Sequence, residues 1–139
     1  MDTVTVKVPP MADHLALLRT AVGWVAGRDD FTIDQVDDLK MAVEEAAVQL
    51  LRHVPPVRAG RDSDITLDLV ATPTGVEARL HARVQATGPV IDETSFSWLI
   101  LKALADDLVV GAEDDVATIV LRKTRLQRSA DDITIGEAG

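Results

Sequence analysis

A chain of 139 residues is long enough to enclose one hydrophobic core and short for two ordinary domains. With 23 acidic against 14 basic residues its net charge is −9, which argues against a sequence-independent grip on nucleic-acid phosphates and suits a basic protein partner, although acidity is also common in ordinary soluble proteins. It has no cysteine, hence no disulfide, no thiolate zinc site and no cysteine nucleophile, and its 47% apolar residues fall in short periodic runs that fit neither disorder nor a membrane span.

The first ten residues, M-D-T-V-T-V-K-V-P-P, alternate Val4, Val6 and Val8 with Thr3, Thr5 and Lys7, the period of a half-buried strand that Pro9-Pro10 ends. They lack the basic start and continuous apolar stretch of a secretory signal, so a cytoplasmic location is expected. Leu15, Leu18, Val22 and Val25 then recur at helical spacing, predicting a helix from about Asp13 to Ala26 with Gly27 placed for a left-handed cap. The next helix has the clearest start. Thr32 and Gln35 have capping-box spacing, and Phe31 and Val36 flank them as a hydrophobic staple. Its apolar stripe is Val36, Leu39, Val43, Ala46, Ala47 and Leu50, with Asp38, Glu45, Gln49 and Arg52 on the other side.

After a loop rich in Pro, Gly and charge, Ile65, Leu67 and Leu69 predict a strand, and T-P-T-G at Thr72 to Gly75 predicts a turn into a second one. Val76, Ala78, Leu80, Ala82 and Val84 should face the core, and Glu77, Arg79, His81, Arg83 and Gln85 the solvent. A third helix, capped by Ser95, carries Phe96, Leu99, Ile100, Ala103 and Leu104 as its expected apolar stripe. Leu108 to Val110 and Val116 to Leu121 read as closing strands, and residues 126–139 as a mobile tail behind a domain of residues 1–125. The fold class is α+β, a two-layer sandwich with helices on one face of a mixed, mostly antiparallel sheet.

The element order and the carboxylate on the second helix resemble the histidine-kinase-type ATPase fold shared with gyrase and the RsbW/SpoIIAB anti-sigma factors. In that family a Glu and an Asn four residues apart face the nucleotide, as general base and magnesium ligand; in A-V-E-E-A-A-V-Q-L-L-R-H these positions are Glu45 and Gln49. The family's Asp-x-Gly-x-Gly loop, whose Asp binds adenine, aligns with V-Q-A-T-G-P-V-I-D, which puts Ala86 at the Asp, keeps Gly88 and puts Val90 at the last Gly. The phosphate-approaching Gly-x-Gly aligns with Ser95 and Ser97. The segments L-A-L-L-R-T and S-F-S-W-L-I-L-K-A-L-A-D-D resemble the actinobacterial RsbW-like anti-sigma factors. That resemblance implies a sigma factor as partner, an anti-anti-sigma (STAS) protein as the releasing partner, a homodimer, and a sigma contact at Arg19.

Each of these residues also has a plainer reading. Glu45 on a polar helix face is ordinarily a solvated carboxylate, and with Gln49, Ala86, Ser95 and Ser97 in place of the ligands no cofactor is expected, ATP with Mg²⁺ being the doubtful exception. Arg19 reads equally as an exposed arginine with a local ion pair. Trp98 reads as an interface anchor or as a packed core residue. His14, His53 and His81 have no partner at metal spacing, so no metal site is expected, and the Asp-Asp pairs suit solvated turns. Arg79, His81 and Arg83 are too few to imply nucleic acid. Three functions follow from the resemblance. The first is an anti-sigma factor that binds and releases by partner exchange, the second a serine/threonine kinase acting on the anti-anti-sigma protein, and the third a scaffold or pairing subunit.

Overall fold

The computed structural model describes residues 3–55, 64–85 and 89–126. Strand β1 (Thr3–Val8) is followed by a short 3-10 turn and helix α1 (Leu15–Gly27), then α2 (Ile33–Leu51), β2 (Ile65–Ala71), β3 (Gly75–Arg83), α3 (Phe96–Leu104), β4 (Asp107–Glu113) and β5 (Val116–Thr124). This is the expected order, with both closing strands longer than their apolar runs suggested. The expected tail falls on residues that lie outside the description from 127 onward. The five strands pair in the order β1-β2-β3-β5-β4, and every pairing is antiparallel, so the sheet is simpler than the mixed one expected.

Alternation decides which face of the sheet is buried. In β3 Val76, Ala78, Leu80, Ala82 and the following Val84 point to the helices and are buried, as are Ile65, Leu67 and Leu69 of β2 and Ile119 and Leu121 of β5. Helix α2 lies between α1 and α3 and touches β2, β3 and β5, while α1 covers β1 and β2. Its stripe of Leu39, Val43, Ala46, Ala47 and Leu50 is fully enclosed, and burial of each large aliphatic side chain contributes about 1.5–3 kcal/mol. Among the described residues no helix is long and apolar enough to cross a membrane.

The local signals fared differently. The capping box forms in full: Thr32 Oγ1 accepts from the Gln35 amide (3.1 Å), and the Thr32 amide donates to Gln35 Oε1 (3.2 Å). The Thr72–Gly75 turn also forms, through Thr72 N to Gly75 O at 2.7 Å. Gly75 is required there because a Cβ would lie 2.0 Å from the Lys123 carbonyl oxygen of β5. Gly27, by contrast, is not the left-handed cap. Helix α1 runs through it and tightens over Arg28 and Asp29, which donate to Val25 O and Ala26 O, and the left-handed residue is Asp30 (φ 58°), a type that tolerates this conformation.

Helix α3 turns a different face inward from the one expected. Leu101 is fully buried and Trp98 and Leu104 pack against the core, whereas Phe96 is 75% and Leu99 61% exposed. The helix F-S-W-L-I-L-K-A-L is apolar nearly all round, so periodicity could not choose a face. The choice is made by Ser97, which shares a face with Leu101 one turn later and meets a polar partner on α2.

Candidate functional site

The carboxyl-terminal half of α2 faces α3 across a narrow seam, and that seam holds the residues that the resemblance places at a nucleotide. Glu45 and Gln49 stand one helical turn apart on the side of α2 that meets α3, and Ser97 stands opposite in the first turn of α3. Gln49 Nε2 donates to Glu45 Oε1 at 3.2 Å and to Ser97 Oγ at 2.8 Å. A carboxylate can only accept, so the Gln49 amide must present its nitrogen here, and both of its protons are committed. Gln49 is only 5% exposed, so the polar helix face expected from the pattern is at this point interior.

The start of α3 is equally self-contained. Ser95 Oγ accepts from the Trp98 amide (3.2 Å) and donates to Asp92 O (2.6 Å). Asp92 Oδ1 accepts from the Thr94 hydroxyl (2.7 Å) and amide (2.8 Å), and these bonds hold its carboxyl below the ordinary aspartate range, the hydroxyl contributing most. Of the amides around this helix start, those of Thr94 and Trp98 are thus taken by side chains and that of Ser95 by the Asp92 carbonyl. Ala86 and Gly88 lie outside the described residues. Their flanks are fixed by His53, a residue the sequence reading passed over because nothing in its spacing marks it. Its Nε2 lies 3.0 Å from Val90 O, and its carbonyl accepts from the Gln85 amide at 2.8 Å.

The resemblance implies Mg²⁺ and ATP at this seam, and the side chains present do not fit them. Magnesium takes oxygen ligands, whereas Gln49, at the ligand position, turns its amide nitrogen to the Glu45 carboxylate and to Ser97. Ser97 adds an Oγ where a bare glycine would leave space, and that oxygen is already bonded.

The other candidate residues lie elsewhere. Arg19, on the outer side of α1, approaches Glu44 of α2 through Nε at 3.3 Å, with the two side chains 48% and 40% exposed. Met41, three residues before Glu44, is exposed on the same side. Leu17 and Trp24, seven apart on α1, make a second exposed apolar line, and the Arg28 guanidinium stands 4.2 Å over the Trp24 ring. Sequence reading missed Trp24 as an exposed aromatic, since its position only departs from the α1 stripe by one residue. Trp98 is not with them. It is half-buried against the core and lines a cleft toward β4. The structure therefore brings Glu45, Gln49 and Ser97 to one seam, leaves Ser95 as the local cap of α3 bonded to Asp92 and Trp98, and keeps Arg19 and Trp98 out of the seam bonds.

No protein-family model matches the chain. It is 37% identical over 131 residues to the anti-sigma-F factor RsbW of Mycobacterium tuberculosis, covering 91% of this chain and 74% of that one. It is 22% identical over 136 residues to the serine-protein kinase RsbW of Bacillus cereus, covering 88% and 84%. Its fold matches a crystal structure of the RsbU and RsbW domains of a Mycobacterium tuberculosis protein, with a TM-score of 0.72 at 10% identity. That match covers 93% of this chain and 34% of the longer one.

Proposed function

The chain belongs to the RsbW family of anti-sigma factors, and from that premise we propose that it sequesters an RNA polymerase sigma factor and does so without nucleotide. The mycobacterial relative's function supports the first half. The single observation that carries the second is the Gln49 bridge, which occupies both amide protons and the carboxylate Glu45 in bonds within the protein. The sigma factor meets the outer side of α1 and α2, where Arg19 can exchange its exposed Glu44 partner for a carboxylate of sigma at little cost. The net charge of −9 steers basic sigma segments toward the chain. An anti-anti-sigma protein of the STAS type competes for overlapping surface and displaces sigma. The chain acts in the cytoplasm as a homodimer, and neither nucleic acid nor membrane takes part.

The relatives named serine-protein kinase favour a second reading, phosphorylation of the anti-anti-sigma protein. One experiment separates the two. The tagged chain is used to capture partners from its host's lysate with and without Mg-ATP. Equal capture of a stress-type sigma factor in both supports the proposal. Capture that needs ATP, or measurable heat on titrating Mg-ATP at millimolar concentration, overturns the nucleotide-free half. Failure against every stress-type sigma factor of the host overturns the first.

A further inference from the structure

The sheet has two edges, and they are built unlike each other. Strand β1 carries Lys7 and runs into Pro9-Pro10, devices that discourage another strand from pairing. Strand β4, D-L-V-V-G-A-E, has no Lys, Arg or Pro, and among the described residues it pairs only with β5. Among the described residues, nothing pairs with the backbone donors and acceptors on its other side.

A cleft lies beside this strand on each face of the sheet. On the helix side, a cleft of about 630 Å³ is lined by Ile91, Trp98, Leu108 and Val110, with Asp92 and Glu93 at its rim. On the outer face, a cleft of about 400 Å³ is lined by Val109, Gly111, Thr118 and Val120, with Glu113, Arg79 and the Glu77-paired Arg122 beside them. Val109, 56% exposed, belongs to both. Successive side chains of a strand point to opposite faces, so a strand laid along β4 would drop alternate side chains into the two clefts.

Charge selects the occupant. Glu93, Asp107, Glu113 and Asp114 are exposed and form no ion pair among the described residues. Unpaired cations nearby are fewer among the described residues. Arg122 is held by Glu77 and Arg83 by Asp115, leaving Arg79 on the outer face and Lys102 on α3. A second copy of the chain fits poorly, because antiparallel β4-to-β4 pairing sets Asp107 against Glu113 at both ends.

We infer that the β4 edge is a docking site for an extended basic segment of a partner protein, which joins the sheet as an added strand. Small apolar side chains at alternate positions fill the cleft under Trp98, and Lys or Arg at the segment's ends meet Asp107 and the Glu113–Asp114 corner. This surface is separate from the outer side of α1 and does not depend on the identity of the sigma factor.

The test uses the full chain in a Trp24→Phe background, so that Trp98 alone reports by fluorescence, together with amide chemical shifts. The probe is a capped heptapeptide, Lys-Val-Thr-Val-Thr-Val-Lys, and the control has Glu at both ends. The expected result is saturable movement of the β4 amides and of Trp98 emission with the Lys peptide, at least tenfold weaker in Val109→Lys and unchanged in Leu17→Lys. A double reversal, Asp107→Lys with Glu113→Lys, should turn the preference to the Glu peptide, which loss of folding cannot imitate. No saturable response at millimolar peptide, equal response to both peptides, or indifference to Val109→Lys would overturn the inference. So would concentration-dependent movement of the β4 amides in the protein alone, which would mark a second copy as the occupant.

Discussion

Glu44 and Glu45 are neighbours on one helix and have opposite situations. Glu44 points to the outer side and holds Arg19 in an exposed ion pair, whereas Glu45 points into the seam and accepts a hydrogen bond from the buried Gln49. A single step along α2, about 100° of rotation, separates a surface open to exchange from one closed on itself. The contrast teaches that polar residues on one helix can serve exchange on one side and cohesion on the other. Glu45, Gln49 and Ser97, which the resemblance aligns with nucleotide-site positions, bond to each other and join α2 to α3.

Five substitutions test that contrast and its surroundings. The largest effect belongs to the seam's apolar floor. Leu101→Ala should cost about 2–5 kcal/mol of unfolding free energy, read by urea denaturation, while Leu99→Ala two residues earlier should stay within about 0.5 kcal/mol. Comparable losses at both would mean that α3 does not present the face described. Next comes the outer side. Arg19→Glu sets two carboxylates against each other and should weaken sigma capture by roughly 2–3 kcal/mol in a binding titration, with little change in thermal midpoint. In the seam, Gln49→Leu strips Glu45 and Ser97 of their donor and should cost about 1–3 kcal/mol of stability while leaving sigma affinity unchanged. A loss of affinity with intact stability would instead join the two sides of α2 into one functional unit.

The smallest effect is a titration. Because Thr94 holds the Asp92 carboxyl below its ordinary range, this group supports the fold above the ordinary aspartate pKa, and its contribution fades as pH falls through the lowered value. Thr94→Ala should raise the Asp92 titration midpoint toward the usual aspartate value, followed by carboxyl carbon chemical shifts. An unchanged midpoint would show that the turn before α3 does not depend on this side chain.

Where local chemistry is self-sufficient, the sequence was readable. Thr32 and Gln35 need only each other, and β3 alternates without exception, so the second helix and the hairpin were legible residue by residue. Gln35 nevertheless does more than its motif announces: its Nε2 crosses to Thr124 O at 2.8 Å and ties the start of α2 to the end of β5. Helix α3 could not be oriented from its own sequence because almost any rotation buries something apolar. The seam was half legible. Spacing put Glu45 and Gln49 on one face, but only tertiary packing shows that this face meets Ser97 and buries Gln49. The clasp of His53 on Val90 and Gln85 depends on residues more than 30 positions away and leaves no periodic trace.

Lys123 carries a last consequence. Its ammonium group, 11% exposed, donates to Leu104 O at the end of α3 and lies 3.5 Å from Asp38 of α2, while its backbone belongs to β5. Separating any one of these three elements takes from that ammonium the carbonyl, the carboxylate or the backbone that positions it. Amide hydrogens in the middle of α2, the last turn of α3 and the end of β5 should therefore exchange with solvent in a single cooperative opening, at one shared free energy, rather than as three independent local events.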